Sequence, residues 1–145
     1  MKVASPLGKT ETAVAQKELE NFQENTKGVT SAVLLSADGF EVASLQVNKD
    51  SASRLAAMGS SLAAISSAIA KEAGISECSR LIVESDEGVV AVMKVPNLKP
   101  PLALAVVAND ASLLGQLLWG AKNCCAALEE KLCLLYTSPS PRDAS

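Results

Sequence analysis

The feature that most constrains this chain is a run of sixteen consecutive residues without charge, from position 55 to position 70. Its larger apolar residues recur at intervals of three and four, the spacing of one face of an α-helix, and nearly all others are Ala, Ser or Gly. Because a helix with one face in water normally carries Lys and Glu there, we expect this helix to be buried on two sides, against its own sheet and against a partner. The apolar residues are Leu55, Met58, Leu62, Ile65 and Ile69.

Two other interpretations of this helix deserve comparison. A membrane span needs about twenty mostly apolar residues, and four serines interrupt this segment. The sequence therefore predicts no membrane span. The remaining alternative is a core helix of a monomer whose outer face is polar but uncharged, since Ala and Ser are tolerated on exposed helix surfaces.

Composition narrows the class of protein. A chain of 145 residues with 48% hydrophobic content is long and apolar enough for one globular domain. Few aromatic residues and a net charge of -3 give no basis for binding nucleic acid. The sequence contains no histidine, the commonest general base and metal ligand. We therefore expect a protein that is not an enzyme, with no catalytic residues, cofactor or metal.

The cysteines and the N-terminus indicate a cytoplasmic protein. Cys78, Cys124, Cys125 and Cys133 lack the spacing of a disulfide framework, a zinc site or a redox motif. We expect them to be small buried apolar side chains. The N-terminus lacks a basic segment followed by an apolar run, so no secretory signal is predicted and the cytoplasm is the expected location.

Hydrophobic patterning predicts the order helix, two strands, helix, three strands, helix. The helices are expected over residues 10–25, from Asp50 as N-cap to Gly74, and 112–132. Short turns make the strands mostly antiparallel. The fold class is thus an α/β (α+β) sandwich in which a five-stranded sheet carries the middle helix on one face and the first and last helices on the other. The strands are expected over residues 29–36, 41–47, 79–84, 89–95 and 102–108.

The two ends of the chain are expected to lie outside the domain. Residues 1–11 form a flexible leader, and residues 12–132 form the domain. Residues 133–145 have the Pro and Ser content of a disordered tail and resemble the translation of a cloning adapter.

The order of elements, with the segment Gly-Val-Thr-Ser-Ala-Val-Leu-Leu-Ser-Ala-Asp-Gly-Phe at residues 28–40 and Leu-Leu-Gly at 113–115, resembles the roadblock family of dynein-light-chain-like proteins. The resemblance covers about residues 12–132. It implies a dimer formed by the middle helix and the third strand, and a role as a platform for Ras-like GTPases or motor complexes. The interface residues it implies here are Leu55, Met58, Gly59, Leu62, Ala63, Ile65, Ile69, Leu81, Ile82 and Val83.

Within this interface, we expect the small residues of the middle helix, Ala63 among them, to face the partner. The partner is either an identical chain or a second roadblock-like chain. In roadblock-like dimers the two middle helices form the floor on which the GTPase lies, so the ends of this helix are the expected docking surface. Its residues here are Lys49, Ser53, Arg54 and Lys71.

Several motifs resemble catalytic or docking sites. Residues 8–10, Gly-Lys-Thr, lack the earlier glycine and strand of a phosphate loop, and the acidic pair at residues 86–87 suits a hairpin turn. Arg54 and Arg80 are candidate arginine fingers, for which surface charges are the preferred interpretation. Trp119 projects from the polar side of the last helix, as a partner anchor or as a cover for the first helix.

These expectations favour a non-enzymatic, homodimeric scaffold that binds and regulates a small Ras-like GTPase. Two alternatives remain open. One is a light-chain-like subunit of a motor or signalling complex without GTPase contact. The other is a profilin-like or sensor-like domain that binds a small ligand as a monomer.

Overall fold

The computed structural model of this chain describes residues 8–45, 49–77, 80–98 and 101–136. Within these ranges, three helices and five strands follow one another in the predicted order, and the predicted sandwich is confirmed. The helices are α1 Lys9–Asn25, α2 Lys49–Ala73 and α3 Leu114–Tyr136. The strands are β1 Val29–Ser36, β2 Glu41–Leu45, β3 Arg80–Ser85, β4 Gly88–Val95 and β5 Leu102–Asn109.

The five strands form one antiparallel sheet in the order β2-β1-β5-β4-β3. The apolar strand β5 lies at the centre, where both faces are covered. The two edges differ: a bulge between Leu34 and Leu35 interrupts the pairing of β1 with β2, whereas β3 pairs with β4 without a shift from Arg80 to Ser85. The uninterrupted edge is therefore β3.

The face that carries α1 and α3 holds the larger core. Its buried cluster contains long side chains from both helices, among them the fully buried Leu19, Leu117 and Leu128. The two helices approach closely because Gly120 leaves room: a Cβ at this position would lie 2.6 Å from Oγ1 of Thr26. Glu18, buried on α1, also pairs with Lys131 of α3.

The face that carries α2 has a smaller core. The sheet contributes Val33, Leu35 and Val92, while the fully buried helix residues are Ala52 and Ala56. Small side chains let the helix lie close to the sheet, but they bury little apolar area of their own. This face is therefore the thinner half of the sandwich.

Element boundaries differ from the sequence predictions at several helix ends. Asp50 lies in the first turn of α2 rather than at its N-cap, because the helix already includes Lys49. Residues 9–11 belong to α1 rather than to a leader, and residues 133–136 continue α3 rather than beginning a tail. The last helix begins at Leu114 instead of Ser112. The rest of the expected leader and tail, apart from residue 8, lies outside the described part.

Candidate protein-interaction surface

The outer side of α2 exposes large apolar side chains. Met58 is 54% exposed, Ile65 55% and Ile69 62%, and no residue between them carries a charge. Large apolar groups grouped on one exposed helix face are typical of a surface that a partner covers. We call Met58, Ile65 and Ile69 the exposed α2 stripe.

Part of the small-residue surface of α2 faces its own sheet, whereas Ala57, Ser61, Ala64 and Ala68 are exposed. Gly59 is buried, and a Cβ there would lie 3.1 Å from Cδ2 of Leu35. Ala56 is fully buried, and Ala63 is half-buried in a cleft that Leu35 also lines. The physical reason is that the large side chains of β1 occupy the space between sheet and helix, so only small helix residues fit there.

The other interface residues predicted on α2 and β3 occupy intermediate positions. Leu55 and Leu81 are half-buried and pack against the core under α2. Leu62 and Ile82 are also half-buried, whereas Val83 is 47% exposed. The structure thus places part of the predicted interface in the core of the subunit itself, and leaves the exposed α2 stripe and Val83 at the surface.

One corner of the sheet on the α2 face is only partly covered. Val83, Val90 and Val107 lie side by side on β3, β4 and β5, and Val90 and Val107 are half-buried. Because alternate residues of a strand share a face, Val83 lies on the same face as Leu81, which contacts the α2 core. The apolar surface on this side therefore includes the open edge of β3.

The charged residues predicted to contact a GTPase lie at opposite ends of α2. Ser53 and Arg54 are exposed in its first turns, and Arg54 donates a hydrogen bond to Oγ of Ser51 at 3.4 Å. Lys71 is exposed in the last turn. A rise of about 1.5 Å per residue separates Arg54 from Lys71 by about 25 Å. The side chain of Lys49 lies outside the described part.

Trp119 lies on the other face of the sheet from α2. It is 70% exposed and borders a groove of about 540 Å³ between α1 and α3. This position agrees with its expected projection from the polar side of α3, and it separates Trp119 from the predicted docking residues on α2. Four carboxamides also line the groove: Asn21, Asn25, Gln116 and Asn123.

An ion pair beside α2 was not predicted from the sequence. Nζ of Lys94 on β4 lies 2.5 Å from Oε1 of Glu77, which follows α2, and 3.3 Å from Oγ of Ser67. The hydrogen bond and charge of Lys94 lower the pKa of Glu77 below its usual value. The partners are separated by 17 residues in sequence, so no local pattern could have identified the pair.

The described residues contain no group of acidic, Cys or His side chains that could hold a metal ion. No helix in the described ranges is long and apolar enough to span a membrane. Cys124 and Cys125 are buried, and burial raises the pKa of each thiol to about 12. These two cysteines are small core residues, as predicted, whereas Cys133 is half-buried and Cys78 lies outside the described part.

Known structures share this fold. A Roadblock/LC7 domain from Streptomyces avermitilis is 22% identical, with a TM-score of 0.74, 81% of this chain covered and 96% of that one. The gliding protein MglB from Thermus thermophilus is 19% identical, with a TM-score of 0.76 and coverage of 90% and 96%. Myxococcus xanthus MglB is 14% identical, with a TM-score of 0.75 and coverage of 87% and 92%. These identities are low, so the likeness concerns the fold.

Comparison at the level of sequence gives the family. No curated protein matches the chain. The family model of the Roadblock/LC7 domain, however, matches residues 15–108, which is more than half of the sequence and includes all five strands nearly to the end of β5. This chain therefore belongs to the Roadblock/LC7 domain family.

Proposed function

We propose that this protein is a non-enzymatic, cytoplasmic scaffold that forms a homodimer through α2 and β3 and binds a small Ras-like GTPase. The dimer places two copies of α2 side by side, and their ends form the surface that contacts the GTPase. The protein then regulates hydrolysis by the GTPase or its location.

The exposed α2 stripe is the observation that carries this proposal. Three large apolar side chains, each more than half exposed, lie on a helix face without charge. Burying one such side chain is worth about 1.5–3 kcal/mol relative to leaving it exposed. A partner that covers the exposed α2 stripe therefore gains more binding free energy than one that covers an ordinary charged helix surface.

Assembly is tested by light scattering on the full chain and on Ile65→Glu. The wild type is expected at twice the monomer mass at tens of micromolar. Ile65→Glu is expected at the monomer mass, because it places an unpaired carboxylate in the interface. The matched control is Leu113→Glu, at a residue 64% exposed that precedes α3, and it should remain a dimer. A monomeric wild type would contradict the proposal.

GTPase binding is tested with a small Ras-like GTPase of the source organism, loaded with GDP or with a non-hydrolysable GTP analogue. Reversing Lys49 and Arg54 to Glu should weaken binding while the dimer persists, because charges at the rim of an interface mainly govern encounter and orientation. Trp119→Ala is the control on the other face. Loss of binding with Trp119→Ala but not with the double reversal would move the docking site to α3.

A light-chain-like subunit would use the same dimer without contacting a GTPase. It is distinguished by a stable dimer that binds no GTPase in either nucleotide state. A sensor-like monomer is distinguished by its mass.

A further inference from the structure

The groove between α1 and α3 combines an exposed tryptophan with carboxamide side chains on both of its walls. Gln116, Trp119 and Asn123 line it from α3, and Asn21 and Asn25 line it from α1. We infer that this groove binds a proline-rich segment of a partner protein in the polyproline II conformation. The groove and α2 lie on opposite faces of the sheet, so the inference goes beyond the proposed dimer and does not depend on it.

The carboxamides of the groove have unused hydrogen-bonding capacity. Within the described ranges, the side chains of Asn21, Gln116 and Asn123 make no hydrogen bond. Asn25 donates from Nδ2 to the backbone oxygen of Asn21 at 2.7 Å. Each carboxamide carries two N–H donors and a carbonyl acceptor without a charge. The two walls therefore present neutral donors that suit the carbonyl groups of a peptide.

The spacing of the donors on α3 matches a polyproline II helix. Gln116 and Asn123 are separated by about 10.5 Å along the helix axis, at a rise of about 1.5 Å per residue. One turn of a polyproline II helix is about 9.3 Å, so carbonyls one turn apart lie within reach of both side chains. Carbonyls on one side of a β-strand recur at about 6.7 Å and then at about 13.4 Å, and both distances fit less well.

A proline-rich segment carries the groups that this groove can bind. Proline has no N–H, and the polyproline II helix has no internal hydrogen bonds, so its carbonyls are open to donors from outside. The segment is already extended before it binds and therefore loses little conformational entropy. Trp119 is 70% exposed. Its indole offers a large apolar surface on which proline rings pack.

The size and charge of the groove also favour a short uncharged segment. The buried Phe22 and Thr26 line the groove where Gly120 lets the helices approach. Its volume of about 540 Å³ lies within the range of about 300–1,000 Å³ that is common for ligand sites. Glu18, the acidic residue among the described residues that line it, already pairs with Lys131. The groove therefore has no unpaired carboxylate that would favour a cationic ligand.

Binding is tested by titrating the full chain with decaproline, acetylated and amidated at its ends. Trp119 is the one tryptophan in the sequence, so its fluorescence reports on the groove. We expect a saturable shift of the emission to shorter wavelength, with a dissociation constant below about 1 mM. A flexible Gly-Ser peptide of the same length is the control and should bind at least about tenfold more weakly. Equal affinity for both peptides, or no saturable change with decaproline, would overturn the inference.

Substitutions in the two walls test whether the peptide lies between them. Asn21→Leu and Asn123→Leu each remove one carboxamide and keep a side chain of similar size. Each should weaken decaproline binding about two- to tenfold, the effect of losing one hydrogen bond. Gln16→Leu, at a carboxamide of α1 outside the groove, is the matched control and should change the dissociation constant by less than about twofold. Unchanged binding in both wall variants would overturn the inference.

Two further variants test the anchor and the source of the segment. Trp119→Ala, measured by calorimetry because it lacks the fluorophore, should weaken decaproline binding at least about tenfold. Its urea midpoint should stay near that of the wild type, since the residue is mostly exposed. The chain has prolines of its own at positions 139 and 141. Pro139→Ala/Pro141→Ala should leave the affinity unchanged, and tighter binding would make the chain itself the occupant and overturn the assignment to a partner.

Discussion

The two helical layers of this protein use their residues in opposite ways. Where α1 and α3 meet the sheet, long side chains such as Leu19 and Leu128 are fully buried. Where α2 meets it, the fully buried helix residues are alanines, Leu55 and Leu62 are half-buried, and the exposed α2 stripe points away from the sheet. The first layer buries long side chains from both of its helices, and the second leaves three of its large apolar side chains more than half exposed. The first explains how the chain folds, and the second is where we expect it to assemble.

The largest loss in the free energy of unfolding is expected from substitutions in the layer formed by α1 and α3. Leu128→Ala removes a fully buried side chain and should lower the free energy of unfolding by about 2–5 kcal/mol. Urea unfolding at one fixed protein concentration measures it, because dimerisation makes stability depend on concentration. Leu113→Ala, at an exposed leucine, is the control and should change little. Equal effects of the two substitutions would contradict the assignment of this layer as the main core.

The contact of α2 with the sheet should be sensitive to added volume. Gly59→Leu places its side chain against Leu35, since even a Cβ would lie 3.1 Å from Cδ2 of that residue. We expect a loss of about 1–3 kcal/mol. Gly115→Leu is the matched control in α3, where nothing lies within 4 Å of the added Cβ. It should be neutral or slightly stabilising, because glycine is a poor helix former. Unfolding of both variants under the same conditions measures the difference.

The order of the elements was predictable because apolar residues recur at different intervals in strands and in helices. The apolar run at residues 102–108 predicted a central strand, and β5 is central. The orientation of α2 was not predictable in the same way. Its large stripe and its small face are both free of charge, so helical spacing alone could not tell which one meets the sheet. The large residues of β1, Leu35 among them, decide it through packing.

Contacts between distant segments were the other part that sequence could not supply. The pair of Lys94 with Glu77, and that of Lys131 with Glu18, join residues far apart in sequence, and neither leaves a local pattern. The exposure of Trp119 followed from its place on the polar side of α3. Its separation from Arg54 and Lys71 by the sheet could be seen only in three dimensions.

A smaller effect on the free energy of unfolding is expected for substitutions in the exposed α2 stripe. In the monomeric Ile65→Glu background, adding Ile69→Ser should change the free energy of unfolding by less than about 0.5 kcal/mol, because the residue is mostly exposed in the subunit. In the wild-type background, the same substitution should weaken the dimer. Sedimentation measures the dissociation constant of the dimer, and urea unfolding measures the free energy of unfolding of the monomer. A large loss of stability in the monomer would mean that Ile69 supports its own subunit.

The smallest effect is expected for the reactivity of the two thiols in the layer formed by α1 and α3. Burial raises the pKa of Cys124 and of Cys125 to about 12, so at pH 8 only about one thiol in ten thousand is ionised. In a Cys78→Ser/Cys133→Ser variant, neither thiol should react with an alkylating reagent until denaturant unfolds the protein.

The same two thiols make the free energy of unfolding depend on pH. In the unfolded chain they ionise near the ordinary pKa of 9.0. Stability present below that pH should therefore be lost as pH rises toward 12.

A cysteine introduced on the outer side of α2 gives the matched comparison for the labelling of Cys124 and Cys125. Ser61 is exposed between Met58 and Ile65 on α2. In the same background, Ser61→Cys should react quickly when Ile65→Glu makes the protein monomeric, and slowly in the dimer, which covers this face. Rapid labelling of Ser61→Cys in a protein that light scattering shows to be a dimer would place the interface elsewhere. Rapid labelling of Cys124 or Cys125 in the folded protein would show that the layer formed by α1 and α3 opens as well.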